Sequence, residues 1–224
     1  MTLDEPPDDS TALARRVRLV VLLEAARSAG LTPIDVLRLH TLAYLSNVLS
    51  QVWNMPPNDG KILKRRGGPF YPALQADLDR LVGMGVALLD GVGHRQDEDG
   101  RWRLEGKYRL NLSLAAPILD AIGRFDVEAR TLRYVKEIAF ALAGLDEAEI
   151  DCAVSQDATY ADSAISPGNV VDFGEWQRWQ EKNYSANASL CLAELLPSGR
   201  RASTGEQLHL YVRHLHRRMN GGRG

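Results

Sequence analysis

Cysteine is nearly absent from this chain. Only Cys152 and Cys191 stand in 224 residues, far apart and without a CxxC partner. That excludes a disulfide-stapled scaffold and a thiolate zinc site, and reads as two small core residues in a reducing compartment. Charge imbalance is absent too: 27 basic and 29 acidic residues leave a formal net charge of −2. Attraction of the whole surface to nucleic acid or an acidic membrane is therefore excluded, and such a claim must rest on local clustering. There is no long apolar run. The stretch Val17 to Ala26 is broken by Arg18 and Glu24, too short and too charged to span a bilayer. The opening MTLDEPPDDS is acidic and proline-bearing, unlike a signal or transit peptide. These absences point to the cytoplasm. Lysine is scarce, at 61, 64, 107, 136 and 182 alone. The arginine bias suits phosphate and carboxylate forks, and equally suits a GC-rich genome.

Catalytic signatures are missing as well. No GxSxG, Walker A, HExxH or GxGxxG occurs, and GMGVALLDG has neither the lysine nor the following helix of a phosphate loop. The acidic run DEAEID, with Glu147, Glu149 and Asp151, reads as a solvated helix face without a nearby base. In HLYVRHLHRR the spacings of five and two between His209, His214 and His216 miss the i, i+4 step that a helical metal site needs. No catalytic residue, metal ligand or cofactor is expected. A cationic helix end answering the helix dipole accounts for Arg217 and Arg218.

What is present is a helical pattern interrupted once by strands. Hydrophobic residues make up 45% and charged residues 25%, ordinary for a globular protein with a real core. Residues 1–10 are acidic and have almost nothing to bury, so a disordered tail is expected. Ser10 caps a helix to Ser28, closed by Gly30. Thr32-Pro33 predicts a second helix from Pro33 to Trp53, with Pro at its first position. Lys61 to Gly68 reads as a basic connector. Apolar residues at 74, 78, 81 and 82 predict a helix over 72–84. Val86–Leu89 and Arg101–Leu112 read as two strands around the turn-rich GVGHRQDEDG. Trp102, Leu104, Tyr108, Leu110 and Leu112 share even parity, with Gly106 marking a bulge.

The remainder predicts helices over Leu114–Ile122, Val127–Ala143, Asp146–Gln156, Glu175–Leu196 and Thr204–Met219. A connection without periodicity spans 158–175, and residues 221–224 fray. The fold class expected is mainly α with a small antiparallel β wing. A winged helix-turn-helix-like domain over 11–123 precedes a helical domain over 124–220.

The phrase GPFYPALQADLDRLVGMGV carries a resemblance. It resembles the winged-helix middle components of bacterial ABC-three-component systems, which act beside an SMC-like ATPase in defence. It also resembles the Panacea, or SocA-like, antitoxin domain, in which a Gly-Pro-aromatic turn precedes a helix of this type. The resemblance covers about Leu31 to Leu112. It implies a non-enzymatic subunit that bridges partners.

Two kinds of surface are candidates. Lys61, Lys64, Arg65 and Arg66 in KILKRRGG precede the third helix, where amides near Gly67 and Gly68 could add phosphate contacts. The wing adds His94, Arg95, Arg101, Arg103, Lys107 and Arg109. Positions 101, 103, 107 and 109 form one strand face, the footprint expected for phosphates. Asp97, Glu98, Asp99 and Glu105 can answer the same charges, and Asp77 and Asp79 on the third helix repel phosphates. A protein partner therefore stands beside DNA as a reading. Trp176, Trp179 and Tyr184 are the aromatic candidates for its interface or for a homo-oligomer, and the core is the competing place for the tryptophans. The reading is an interaction subunit bridging an ATPase or effector, with a DNA-binding regulator or antitoxin as the alternative.

Overall fold

Helix α1 (Asp9–Ser28) is the element on which the others gather. Leu19, Val20, Leu22, Leu23 and Ala26 on it are all buried. The computed structural model describes residues 9–58, 61–65, 67–96, 100, 102–163, 166–172, 183–197 and 200–221. The end of α1 is closed as its sequence predicts. Leu31 N–H donates to the Ala26 carbonyl (2.9 Å) and Gly30 N–H to that of Arg27 (3.2 Å), with Gly30 at φ +77°. This paired closure requires a left-handed residue, and glycine adopts it without steric cost.

The second helix starts later than predicted. Ile34–Asp35 forms strand β1, and α2 covers Val36–Val48. Ile34 lies opposite Tyr108 and is buried there. The cap is Asp35, whose carboxylate accepts from Arg38 N–H at 2.9 Å. A short 3-10 turn, Ser50–Trp53, then ends at Asn54 in the left-handed region.

The basic connector is in fact a strand. Lys61–Arg65 (β2) pairs antiparallel with Gly68–Phe70 (β3) and with Val170–Asp172 (β6), giving the order β3-β2-β6. Ile62 and Lys64 share the inward parity that a central strand imposes. Helix α3 (Pro72–Gly83) starts with proline at its first turn and buries Leu74, Asp77, Leu78 and Leu81.

Strands β4 (Ala87–Gln96) and β5 (Trp102–Leu110) pair antiparallel as expected, but β4 runs past Leu89 to Gln96, so residues 91–96, read from the sequence as a loop, are strand held by pairing with β5. With β1 they form a second sheet, in the order β1-β5-β4. The register slips between Asp90 and Gly93, so Gly91 and Val92 on β4 face Gly106 alone on β5. The bulge thus lies across from the glycine that suggested it. A Cβ on Gly106 would lie 2.2 Å from Leu89 Cδ1, so the missing side chain leaves room for the leucine. Tyr108 and Leu110 face inward as parity predicts, whereas Leu112 begins helix α4 and is exposed.

Helices α4 (Leu112–Arg124), α5 (Asp126–Leu142) and α6 (Glu147–Ala153) follow. Asp146 and Glu149 form a capping box at the start of α6. The predicted helix over 175–196 does not run through 183. Asn183 has non-helical dihedrals and caps a new helix α7 (Tyr184–Glu194), accepting from Ala186 N–H at 3.0 Å. Residues 173–182 lie outside the described residues. Helix α8 (Thr204–Asn220) carries a second capping box, Ser203 with Glu206.

The described residues form a mainly helical structure with two small antiparallel sheets. One buried cluster runs from Leu19 to Leu215, joining α1, α2 and α3 to α5 and α8. Tyr134, Val135 and Ile138 of α5 are each fully buried, and α5 packs on α1. The sequence boundary at 123/124 therefore falls within a shared core.

Candidate nucleic-acid and partner surfaces

Strand β2 decides where the first basic set points. Lys61 stays at the surface, its side chain 70% exposed and 3.6 Å from the Asp172 carboxylate. Lys64 is turned inward and only 7% exposed. Its ammonium donates to the Asp162 carbonyl at 2.8 Å and lies 5.4 Å from the centre of the Tyr160 ring. Burial pulls the Lys64 pKa below the usual lysine range, against the opposing charge of Asp162. Arg65 lies over Phe70, its guanidinium carbon 3.5 Å from the ring centre. Its backbone clasps the Tyr160 hydroxyl: Arg65 N–H donates to it (3.0 Å) and it donates to Arg65 C=O (2.6 Å). Tyr160 is pushed up to about 12 by this burial.

Lys64 is therefore turned inward rather than standing at the surface as the reading of a basic connector supposed. Arg66 and Arg101 lie outside the described residues.

On the other sheet, Arg95 and Arg103 are cross-strand partners by backbone register. Their side chains lie outside what is described. Lys107 and Arg109 share the exposed face of β5, and Arg109 Nε donates to Asp90 Oδ2 at 2.6 Å. The third helix also differs from its sequence reading. Asp77, one of the two acids counted against phosphate, is 3% exposed. Its carboxylate is held by Arg15 Nε at 2.8 Å and faces Arg16 Nε at 3.5 Å. The outward face of α3 is Ala73, Ala76, Asp79 and Arg80, with one acid and one base.

The acidic run is more than a solvated face. Arg38 on α2 binds Asp151 through Nε (2.9 Å) and Nη2 (3.2 Å), Glu147 through Nη1 (3.0 Å), and Asp35 through Nε (3.1 Å). These bonds, Asp151 foremost, raise its pKa further above the usual arginine value. They pin α6 to α2.

Sequence reasoning missed the buried polar network. Asp157 is fully buried and accepts from Tyr44 Oη (2.6 Å), Tyr211 Oη (2.7 Å), Thr159 N–H (3.0 Å) and Tyr160 N–H (2.9 Å). Burial, with the Asp157 charge behind it, raises both phenols. Asn183 Nδ2 donates to Val48 C=O at 2.8 Å, and Thr159 and Ser185 share a hydrogen bond of 2.7 Å. Arg18 Nη2 donates to Ala43 C=O, Ser46 Oγ and Asn47 Oδ1. His40 accepts from Tyr71 N–H through Nδ1 at 3.2 Å. These groups link elements distant in sequence, so no local period signals them.

Two of the three histidines of α8 lie beside separate acids. His209 lies 3.4 Å from Glu137 and His216 2.9 Å from Glu149. Burial, then Arg218 and Arg217, lowers the pKa of His214. Among the described residues no three His, Cys, Asp or Glu side chains converge as a metal site.

Of the aromatic candidates, Tyr184 is 49% exposed at the start of α7, while Trp176 and Trp179 lie outside the described residues. Apolar side chains are exposed at both ends of α4: Leu112 and Leu114 at the start, Phe125 and Val127 just past the end. Both cysteines are exposed rather than core, because the buried positions of α6 and α7 fall on their neighbours Ile150, Ala153 and Ser189. Among the described residues no helix is long and apolar enough to cross a membrane. Compared with known protein families, curated proteins and solved structures, the chain matches none of them.

Proposed function

We propose that this protein is a non-enzymatic interaction subunit on a winged-helix core, bridging an ATPase or effector partner in a bacterial system. The observation that carries this reading is the fate of the basic strand. Lys64 is packed on Tyr160 and Asp162, and Arg65 is laid on Phe70, so this segment builds the fold. Phosphate binding needs such charges at the surface. Meanwhile Leu112 and Leu114 at the start of α4, and Phe125 and Val127 where α4 passes into α5, are exposed, the residue types that partner surfaces use. The resemblance to three-component middle subunits supports the ATPase-linked form of the reading, in a defence role.

The winged-helix core rests on element order. Helix α1, the short strand β1, α2, the inserted pair β2–β3, α3 and the β4–β5 hairpin follow in that order, and β1 joins the hairpin as β1-β5-β4. The second reading, a DNA-binding regulator or antitoxin, is favoured by Lys107 and Arg109 on the exposed face of that hairpin. One experiment separates the two. The chain is co-expressed with the SMC-like ATPase or other large subunit encoded beside it and analysed by size exclusion with light scattering. In parallel, duplex DNA is titrated at low salt. Co-elution at a fixed ratio, without salt-sensitive DNA binding, is the expected result. DNA binding that falls steeply with salt, and no complex, would favour the regulator.

A further inference from the structure

A cleft of about 290 Å³ opens where the α1–α2 turn, β5 and the α5–α6 turn meet. Its floor is aliphatic, with Ile34, Leu42, Leu142, Leu145 and Ile150 among the lining residues. Ile34, Leu42, Leu142 and Ile150 are at most 3% exposed, so the floor belongs to the rigid core. Two side chains of opposite charge line it from different elements, Lys107 from β5 and Glu147 from α6. Lys107 is exposed and makes no ion pair among the described residues. Glu147 is 76% exposed and spends only Oε2 on Arg38, leaving Oε1 available. The Arg38 guanidinium is fixed by its three acids, so it shapes the wall rather than neutralising a ligand.

We infer that this cleft binds a free aliphatic α-amino acid. The aliphatic side chain fits the floor, the α-carboxylate is met by Lys107, and the α-ammonium by Glu147. A simple carboxylate would answer only the lysine. It would also leave Glu147 Oε1 unanswered. A simple amine would leave Lys107 unanswered. A zwitterion satisfies both, as charged groups at a pocket mouth fix the orientation of a ligand whose body is held by apolar contact. The occupant would also join β5 to α6, and so sit between the two halves of the chain.

The test uses the full chain and three probes of one shape. These are L-leucine, 4-methylpentanoate without the ammonium, and 3-methylbutylamine without the carboxylate. Each is titrated by calorimetry against the wild type, Lys107→Met and Glu147→Gln. Both substituted residues are exposed, and circular dichroism checks that the variants fold. Leucine is expected to bind saturably, and each truncated probe about tenfold or more weaker, as loss of a charged hydrogen bond implies. In Lys107→Met, leucine should lose its advantage over 3-methylbutylamine; in Glu147→Gln, over 4-methylpentanoate. The proposal is overturned by no saturable binding of leucine, by equal binding of all three probes, or by unchanged leucine affinity in both variants.

Discussion

Replacing Asp157 tests whether the polar network holds the two halves together. Its carboxylate is fully buried and accepts two phenol hydroxyls and two backbone N–H groups. Tyr44 comes from α2 and Tyr211 from α8, so one side chain ties the second helix to the last. Asp157→Ala leaves four buried donors without their acceptor. An orphaned buried donor costs about 1–3 kcal/mol, and partial relaxation offsets some of the sum, so a loss of about 3–5 kcal/mol is expected. That is a large share of a total stability of about 5–15 kcal/mol. Asp157→Asn should cost less, about 1–2 kcal/mol. The amide keeps Oδ1 for Tyr44 and both N–H groups, and its nitrogen can donate to the Tyr211 oxygen. Tyr44→Phe and Tyr211→Phe share an acceptor, so their losses should be non-additive by about 0.5 kcal/mol or more. Urea unfolding followed by circular dichroism gives each value by linear extrapolation. An Asp157→Ala loss below about 1 kcal/mol, or one no larger than that of Asp157→Asn, would refute the reasoning.

Three further outcomes are expected. Leu78→Ala should cost about 2–5 kcal/mol in the same assay, because Leu78 is fully buried; a loss below about half a kcal/mol would place it at the surface. Lys64→Ala should lower the urea midpoint clearly while Lys61→Ala leaves it nearly unchanged, since the exposed Lys61–Asp172 pair is worth about 0–1 kcal/mol; equal effects would show that Lys64 is not part of the core. Glu24 gives a pH signature: burial raises its pKa, but hydrogen bonds from Arg27, Ser28 and Lys136 outweigh this and hold it below the usual 4.5. A lowered folded pKa stabilises the protein above the unfolded value and loses that contribution as pH falls through the folded one. Glu24→Gln should therefore be less stable than wild type at pH 7, with the gap closing below about pH 4.5. A gap that stays constant down to pH 3 sinks the assignment.

Much of the fold was legible because much of it is local. The 74, 78, 81, 82 spacing of α3 and the even parity of β5 are read from neighbours in the chain; Leu74, Leu78, Leu81, Tyr108 and Leu110 are buried as they require, Val82 is half-buried and Leu112 is exposed. Gly30 and Gly106 were marked by the residue type that each geometry needs. Elements made by distant partners were not legible. Strand β2 reads as a charged connector because its hydrogen-bonding partners include residues 170–172. Strand β1 was hidden under a proline that suits a helix start, and its partner Tyr108 lies far downstream. Asn183 looks like an ordinary helix residue until Val48 C=O appears beside its amide. The candidate site fared worse than the fold for the same reason. Charge count locates lysines and arginines, but only pairing decides which face each one takes.

Five polar positions share one job. Lys64, Tyr160, Asp157, Asn183 and Arg38 each make a contact across the boundary that the sequence suggests near residue 123. A sequence whose two halves were independent would not place its buried polar groups there, because each is satisfied only when both halves are present. Apolar packing of α5 on α1 holds the halves together, and the directional hydrogen bonds from Tyr44 to Asp157 (2.6 Å) and from Asn183 to Val48 (2.8 Å) add to their alignment. A partner that docks on the exposed ends of α4 would therefore meet a surface whose geometry is set from both directions. The cleft beside Arg38 lies on the same seam, with one wall from the α1–α2 turn and another from α6. An occupant there would act on the alignment that the polar network already specifies, which gives a small ligand a route to the partner surface.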